Sequence, residues 1–406
     1  MPSASRPAPC GPSDRHRGTA ASTRKGPLSA PRSLAALVAL SSGAAAGTTA
    51  AASSPDSPYA FAVERYADGD RSGGGRQLAA LDPRQVPAEA RGLARRLRLL
   101  SDDRRRNALL KAATLLHTDA ALERRAAGDP VAIDSQLELA LLYVGLVDSF
   151  PADADLRTFA RRWYLAAALD RQRYLEAEGA GALLRQGLRR FPTDPELRLA
   201  QGSIEETLGT WPPLPGAPGG RVARSQGAGL PTQEGAGAVL SEAARGRDGK
   251  GHLQEAEKEY RAALAADGAL HEARLRHGRV LLLLGKAAEA GAEIERVLRE
   301  GHDPALRYLA FLFQGRCREG EGDFARAVEA YRAGAALFPE AQTVRMALGH
   351  ALDRLGDLRG SRDELRRAVV EGSPLFERPD PWWAYPYGQS SRADSLLAEL
   401  RDGARR

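Results

Sequence analysis

The sequence predicts an all-α protein assembled from repeating helical hairpins, and three observations carry that prediction. Alanine, leucine, arginine and glutamate dominate its 406 residues while only 6% are aromatic, a mixture that favours helix and denies strands their usual aromatic and β-branched residues. Two glycines seven residues apart, Gly278 and Gly285 in "RHGRVLLLLGKAAEA", recur as Gly315 and Gly322 and again as Gly349 and Gly356, with offsets of 37 and 34 residues. Beyond the second glycine of each pair a small residue is followed four positions later by a large one: Ala290 and Ile294, Ala327 and Tyr331, Ser361 and Leu365.

The same second-helix signature stands in "HLQEAEKEYRAAL" as Ala256, Tyr260 and Ala263, and Pro339 closes the unit that holds Ala327 and Tyr331. A period near 34 residues, with Ala-x-x-x-large followed by proline, resembles the tetratricopeptide repeat. The resemblance implies an α-solenoid. Antiparallel hairpins that cannot bury their apolar faces alone would stack into a superhelix, its concave surface lined by the first helix of each pair. Within each hairpin the first glycine would let the two helices approach closely, and the second would sit at the turn, where a helix ends in left-handed backbone. Gly202 and Gly209 in "DPELRLAQGSIEETLG" form a fourth pair.

Taken in order, residues 1–46 read as a leader: "PRSLAALVALSSGAAAG" offers a cation, an apolar run from Leu34 to Leu40, then Ala44 and Ala46. This is the pattern of a secretory signal peptide cut after Ala46, although the polar stretch before it is long for one, and an apolar patch in a disordered tail is the alternative. Residues 57–160 form a diverged helical region, with amphipathic spacing in "DDRRRNALLKAATLLHTDAALERRAAG" and "SQLELALLYVGLVDSF". Residues 161–375 hold about five repeat units, interrupted by a Pro/Gly-rich loop at 211–250 that reads as disordered and follows no strand, so its glycines are no phosphate cradle. Residues 376–406 carry an aromatic segment, "RPDPWWAYPYGQSS", and a short amphipathic helix.

Charge and motifs narrow the function. The net charge is +6, but residues 1–32 alone contribute +5; the remainder lacks the broad cationic field of a nucleic-acid binder. No apolar stretch reaches the ~20 residues of a membrane-spanning helix. The sequence contains no HExxH, GxSxG or Walker-type glycine loop, and its two cysteines, Cys10 and Cys317, are not spaced for metal. His271 and His277 are six apart, off any common helical face, and His252, His302 and His117 read as ordinary surface or half-buried residues. The expectation is a non-enzyme without cofactor or metal, binding a protein or peptide partner from an exported, periplasmic or secreted location, or from the cytoplasm where the leader is not an export signal.

On the resemblance, groove-facing residues lie three before, one after and four after the first glycine. That singles out Leu199, Ser203 and Glu206; Leu275, Arg279 and Leu282; Leu312, Arg316 and Glu319; and Met346, His350 and Asp353. Arg279, Arg316 and His350 would stack in a short cationic line suited to a carboxylate, unless Glu319 and Asp353 neutralise it in a solvated groove. The aromatic cluster Trp382, Trp383, Tyr385 and Tyr387 supports two readings: an extended cap over the last repeat, or an exposed platform for a sugar or a partner. Either a groove-based interaction scaffold, a glycan- or peptide-binding module built on the aromatics, or a helical accessory subunit of an enzyme complex fits these features.

Overall fold

The computed structural model describes residues 57–128, 130–174, 176–210, 247–369 and 379–404. The leader, the loop through residue 246 and residues 370–378 lie outside the described residues. The described elements are helical throughout. They run α1 (Pro58–Ala67), α2 (Arg71–Ala79), α3 (Val86–Leu99), α4 (Asp103–Ala126), α5 (Pro130–Val144), α6 (Ala154–Arg173), α7 (Ala177–Arg190), α8 (Pro195–Thr210), α9 (Arg247–Ala266), α10 (His271–Leu283), α11 (Ala287–Glu300), α12 (Pro304–Gly320), α13 (Phe324–Leu337), α14 (Gln342–Arg354), α15 (Leu358–Val369), α16 (Pro381–Ala384) and α17 (Ala393–Gly403). Among the described residues no helix is long and apolar enough to cross a membrane.

From α4 onward the helices pair as hairpins, α4 with α5 through α14 with α15, and the first helices of successive hairpins also pack on one another. That contact makes the first helices the inner wall of an α-solenoid. Aspartates start many of the helices, as where Asp153 accepts from the Leu156 amide at 3.0 Å and Asp194 from the Leu197 amide at 2.8 Å, satisfying donors that the first turn leaves open. α9 begins at Arg247, five residues before the point at which the sequence pattern resumes.

The glycine pairs work by two different devices. A Cβ on Gly278 would stand 2.9 Å from Ile294 Cγ1, and one on Gly315 would collide with the Tyr331 ring, so the signature residue of each second helix fills the space that the first glycine vacates. Gly285, Gly322 and Gly356 turn the chain with φ of 81°, 79° and 83°, where a side chain would be strained. Gly209 departs from this pattern. It lies inside α8, packed against Leu253. Ala256, Tyr260, Ala290, Ala327 and Tyr331 are fully buried.

A second periodic device joins three of the four hairpins that carry the glycine pairs. Arg198 donates to Glu259 at 2.6 Å, Arg274 to Glu293 at 2.7 Å and Arg345 to Glu364 at 2.7 Å. Each arginine sits four residues before a first glycine and each glutamate just before the large signature residue. The same arginines donate back to the carbonyls of Pro192, Gly268 and Pro339, fastening the entry to the first helix. In the α12–α13 hairpin Phe311 and Ala330 take those places. Arg318, whose counterparts in the flanking hairpins are Leu281 and Leu352, snorkels to Glu321 and Glu295 without disturbing α12.

One residue of the N-terminal region differs from the sequence reading. His117 is fully buried: its Nε2 hydrogen-bonds with the Tyr59 hydroxyl and its Nδ1 with Gln136, both at 2.7 Å. Burial lowers its pKa to about 4. The stretch around Tyr59 forms a helix of its own, α1, packed on α2 and α4. Cys317 is buried as expected of an inert thiol, its pKa raised to about 11 chiefly by desolvation.

Candidate functional site: the inner groove and the segment that fills it

The first helices α8, α10, α12 and α14 present their inner faces to one groove. At its centre is Glu206, four residues after Gly202, which is 2% exposed. Its carboxylate accepts from the Tyr260 and Tyr385 hydroxyls, both at 2.7 Å, from Arg276 at 3.3 Å and from Arg279. Burial alone would raise the carboxyl's pKa; the Arg279 and Arg276 charges and the two phenols outweigh it and hold the group below the usual carboxylate range. Arg276 is paired again to Glu272 at 2.9 Å. The cluster is buried, charge-balanced and multiply hydrogen-bonded, the condition under which buried ions are tolerated.

The C-terminal segment crosses this wall from α14 back towards α4. Asp380 accepts from the Tyr308 hydroxyl at 2.9 Å and from the Thr343 amide at 2.8 Å. That amide belongs to the first turn of α14, whose N-cap, Ala341, supplies no side-chain bond, so Asp380 caps the helix from outside. Trp382 and Tyr385 stack on each other, with Phe313 edge-on to both. The Arg276 guanidinium lies 4.1 Å from the Tyr385 ring centre, and Arg279 lies 5.0 Å from the same ring and 5.3 Å from that of Trp382. Backbone joins in: Arg276 donates to the Tyr385 carbonyl at 2.9 Å and Thr207 to the Pro386 carbonyl at 3.2 Å. Between Glu206, Arg276, Arg279, Tyr385 and Pro386 a cleft of about 10 Å³ remains, room for one water.

Beyond the groove, Gln389 donates to Glu272 at 3.0 Å and Arg392 to Glu196 at 2.9 Å. α17 then packs on α6, burying Ala393, Leu396, Leu397 and Leu400 in the N-terminal core. Arg401 pairs with Asp119, and Arg173 donates to Asp394 at 2.9 Å.

These contacts correct the expectation of an extended cap. The segment folds into α16 and two short 3-10 turns, because Pro381 and Pro386 stand in first turns, where no amide is needed. It lies on the inner helices and leaves the last hairpin's Leu358 and Val369 61% and 65% exposed. Nor is it an open sugar platform: Trp382 and Tyr385 are buried, and Trp383 and Tyr387 half-buried.

The residues expected in the groove divide into two sets. Ser203 is buried, accepting from Gln172 at 3.0 Å, and Arg279 is buried under the aromatics, so neither is open to solvent. Arg279 therefore does not extend a cationic line. Arg316 and His350 are exposed and share Glu319, at 2.7 Å and 3.2 Å, and Asp353 is exposed close by in sequence. Sequence reasoning passed over Arg276, Tyr308 and Asp380. The spacing of Arg276 to Arg279, three apart on one helical face, was a usable signal for the first; nothing local marked the other two.

Among the described residues no group of His, Cys, Asp and Glu is arranged to hold a metal ion. A comparison with protein families matches residues 314–375 to the tetratricopeptide repeat. No curated protein matches the chain. Among solved structures the chain is similar to one titled "Functional Characterization of Pseudomonas Aeruginosa pilF", at 15% identity over 60% of this chain and 90% of that one, TM-score 0.40. It is also similar to MamA from Desulfovibrio magneticus RS-1, at 18% identity over 52% of this chain and 97% of that one, TM-score 0.37. A third is YrrB, titled a TPR protein with an unusual peptide-binding site, at 16% identity over 51% and 83%, TM-score 0.33. The family match thus identifies a tetratricopeptide repeat at residues 314–375, and the same glycine-spaced hairpins precede it in the chain.

Proposed function

We propose that this chain is a non-catalytic protein-interaction scaffold whose inner groove receives a segment of a partner protein. One observation carries the reading: the groove already holds a stretch of polypeptide, residues 379–390, through a carboxylate, two aromatic rings and backbone carbonyls. These are the groups through which peptide ligands are gripped. The end of the groove around Arg316 and His350 stays exposed and is the entry for a partner. Export through the leader, with cleavage after Ala46, belongs to the same reading and is tested by fractionating cells.

The test places a photocrosslinking amino acid at position 316 of the full chain in its source cells, with position 299 on the outer helix α11 as control. A single protein adduct formed from 316 and not from 299 is the expected result. Equal adducts from both positions, or none from 316, would overturn the groove reading.

A further inference from the structure

The segment in the groove has little structure of its own. α16 is four residues long and the two turns beside it three each, far too short to hold without external contacts. What fixes them is the groove. The central carboxylate of the wall, by contrast, stays partnered without them: Glu206 keeps Arg276, Arg279 and Tyr260 when Tyr385 leaves. The segment is tethered by α17, whose apolar face and ion pairs are committed to the N-terminal core. Near the tethered end of the plug stands Gly388, at φ 55°, pressed so closely on Ser203 and Gln172 that a Cβ would not fit.

We propose that residues 379–390 are a self-ligand, and that the groove's partner is a protein segment offering the same three groups in the same order. These are a carboxylate, an aromatic ring two residues on, and a tyrosine three residues after that, as Asp380, Trp382 and Tyr385 do here. This rests on the scaffold reading above and names its ligand. Each group has a receiver built from different elements. The carboxylate meets the Tyr308 hydroxyl and the open first turn of α14, where an anion is favoured. The tryptophan packs edge-on to Phe313 beneath Arg279. The tyrosine ring lies against Arg276, and its hydroxyl donates to Glu206, so tyrosine is selected over phenylalanine. A competing segment that meets all three displaces the plug while α17 stays docked.

The probe is a fluorescein-labelled synthetic peptide of residues 379–392, PDPWWAYPYGQSSR, titrated by anisotropy into the full chain. The wild-type chain, its groove occupied in cis, is expected to bind at least tenfold more weakly than the full chain carrying Trp382→Ala and Tyr385→Ala. A peptide with phenylalanine in place of Tyr385 should bind the opened chain about tenfold more weakly, the effect of one lost hydrogen bond to a buried charge. Adding Arg279→Ala to the opened chain should abolish binding. Equal affinity of the wild-type and opened chains would overturn the proposal, as would no binding to an opened chain whose helical circular dichroism and melting are intact.

Should the opened chain fail to fold, amide hydrogen exchange on the wild-type chain decides. Amides of 381–390 are expected to exchange well ahead of those in α17 and α12; exchange no faster than global unfolding would mean a permanent strut and overturn the proposal. These outcomes are separable from the scaffold reading, since an adduct from position 316 does not depend on the plug.

Discussion

Arg279 and Arg316 hold the same place in successive hairpins, one residue after the first glycine, yet they live in different environments. Arg279 is 8% exposed, bonded to a fully buried carboxylate and covered by Trp382 and Tyr385. The Arg316 side chain is 53% exposed and shares Glu319 with His350. Repeat position put both on the inner wall. What separates them is a segment about 100 residues further along the chain, which seals one half of the groove and leaves the other open.

The largest expected contrast comes from truncating both. Arg279→Ala leaves Glu206 and the aromatic stack short of a charge and should cost about 3–5 kcal/mol in urea unfolding, the range for breaking a buried ion pair. Arg316→Ala should stay within about 0.5 kcal/mol, as exposed pairs do. Similar losses at the two sites would remove the distinction between a sealed and an open half.

Acidity sharpens the comparison because two buried groups respond in different windows. His117 is held neutral, with its pKa lowered from 6.5 to about 4. The unfolded chain therefore binds the proton first, and stability falls as pH drops from about 6.5 to 4, by on the order of 3 kcal/mol at the bottom of that window. His117→Gln should flatten this part of the pH profile. Glu206 has a folded pKa below its ordinary value, so its contribution is complete above the unfolded carboxylate range and is lost as pH falls through the lower folded value. Glu206→Gln should lower stability at neutral pH by breaking the buried pairs and flatten only the acid end of the profile; a changed pH slope near neutral in that variant would contradict the assignment.

Smaller effects probe the remaining contacts. Arg345→Ala breaks the clamp to Glu364 and the bond to the Pro339 carbonyl and should cost about 1–2 kcal/mol, since hydrogen bonds to charged groups are worth roughly that. Tyr385→Phe removes one of the donors to Glu206 and should cost about 1 kcal/mol, read as a shift in the urea midpoint without a change in slope.

The sequence made the repeats legible because a hairpin is specified locally. Gly315 and Tyr331 lie sixteen residues apart and meet within one unit, and Gly285 needs only its own backbone angle to turn the chain. The Arg–Glu clamps were equally periodic, but polar residues carry a weaker repeat signal than small and apolar ones, and one hairpin lacks the pair. The filled groove was illegible for a different reason: Asp380 finds Tyr308 and Thr343, and Tyr385 finds Glu206 across 179 residues. No period links such positions. The tryptophans drew attention to the segment, and the general need of a solenoid for a cap then suggested the wrong surface for it.

Where that segment packs is the central claim, and one photocrosslink tests it most directly. Benzoylphenylalanine replaces Tyr385 in the purified full chain, and the adducts are mapped after irradiation. Intramolecular adducts confined to residues 197–210, 271–283 and 304–320 are the predicted result. Adducts on residues 358–369 would restore the terminal cap, and adducts joining two copies of the chain would mean that the groove is filled in trans; either contradicts this account.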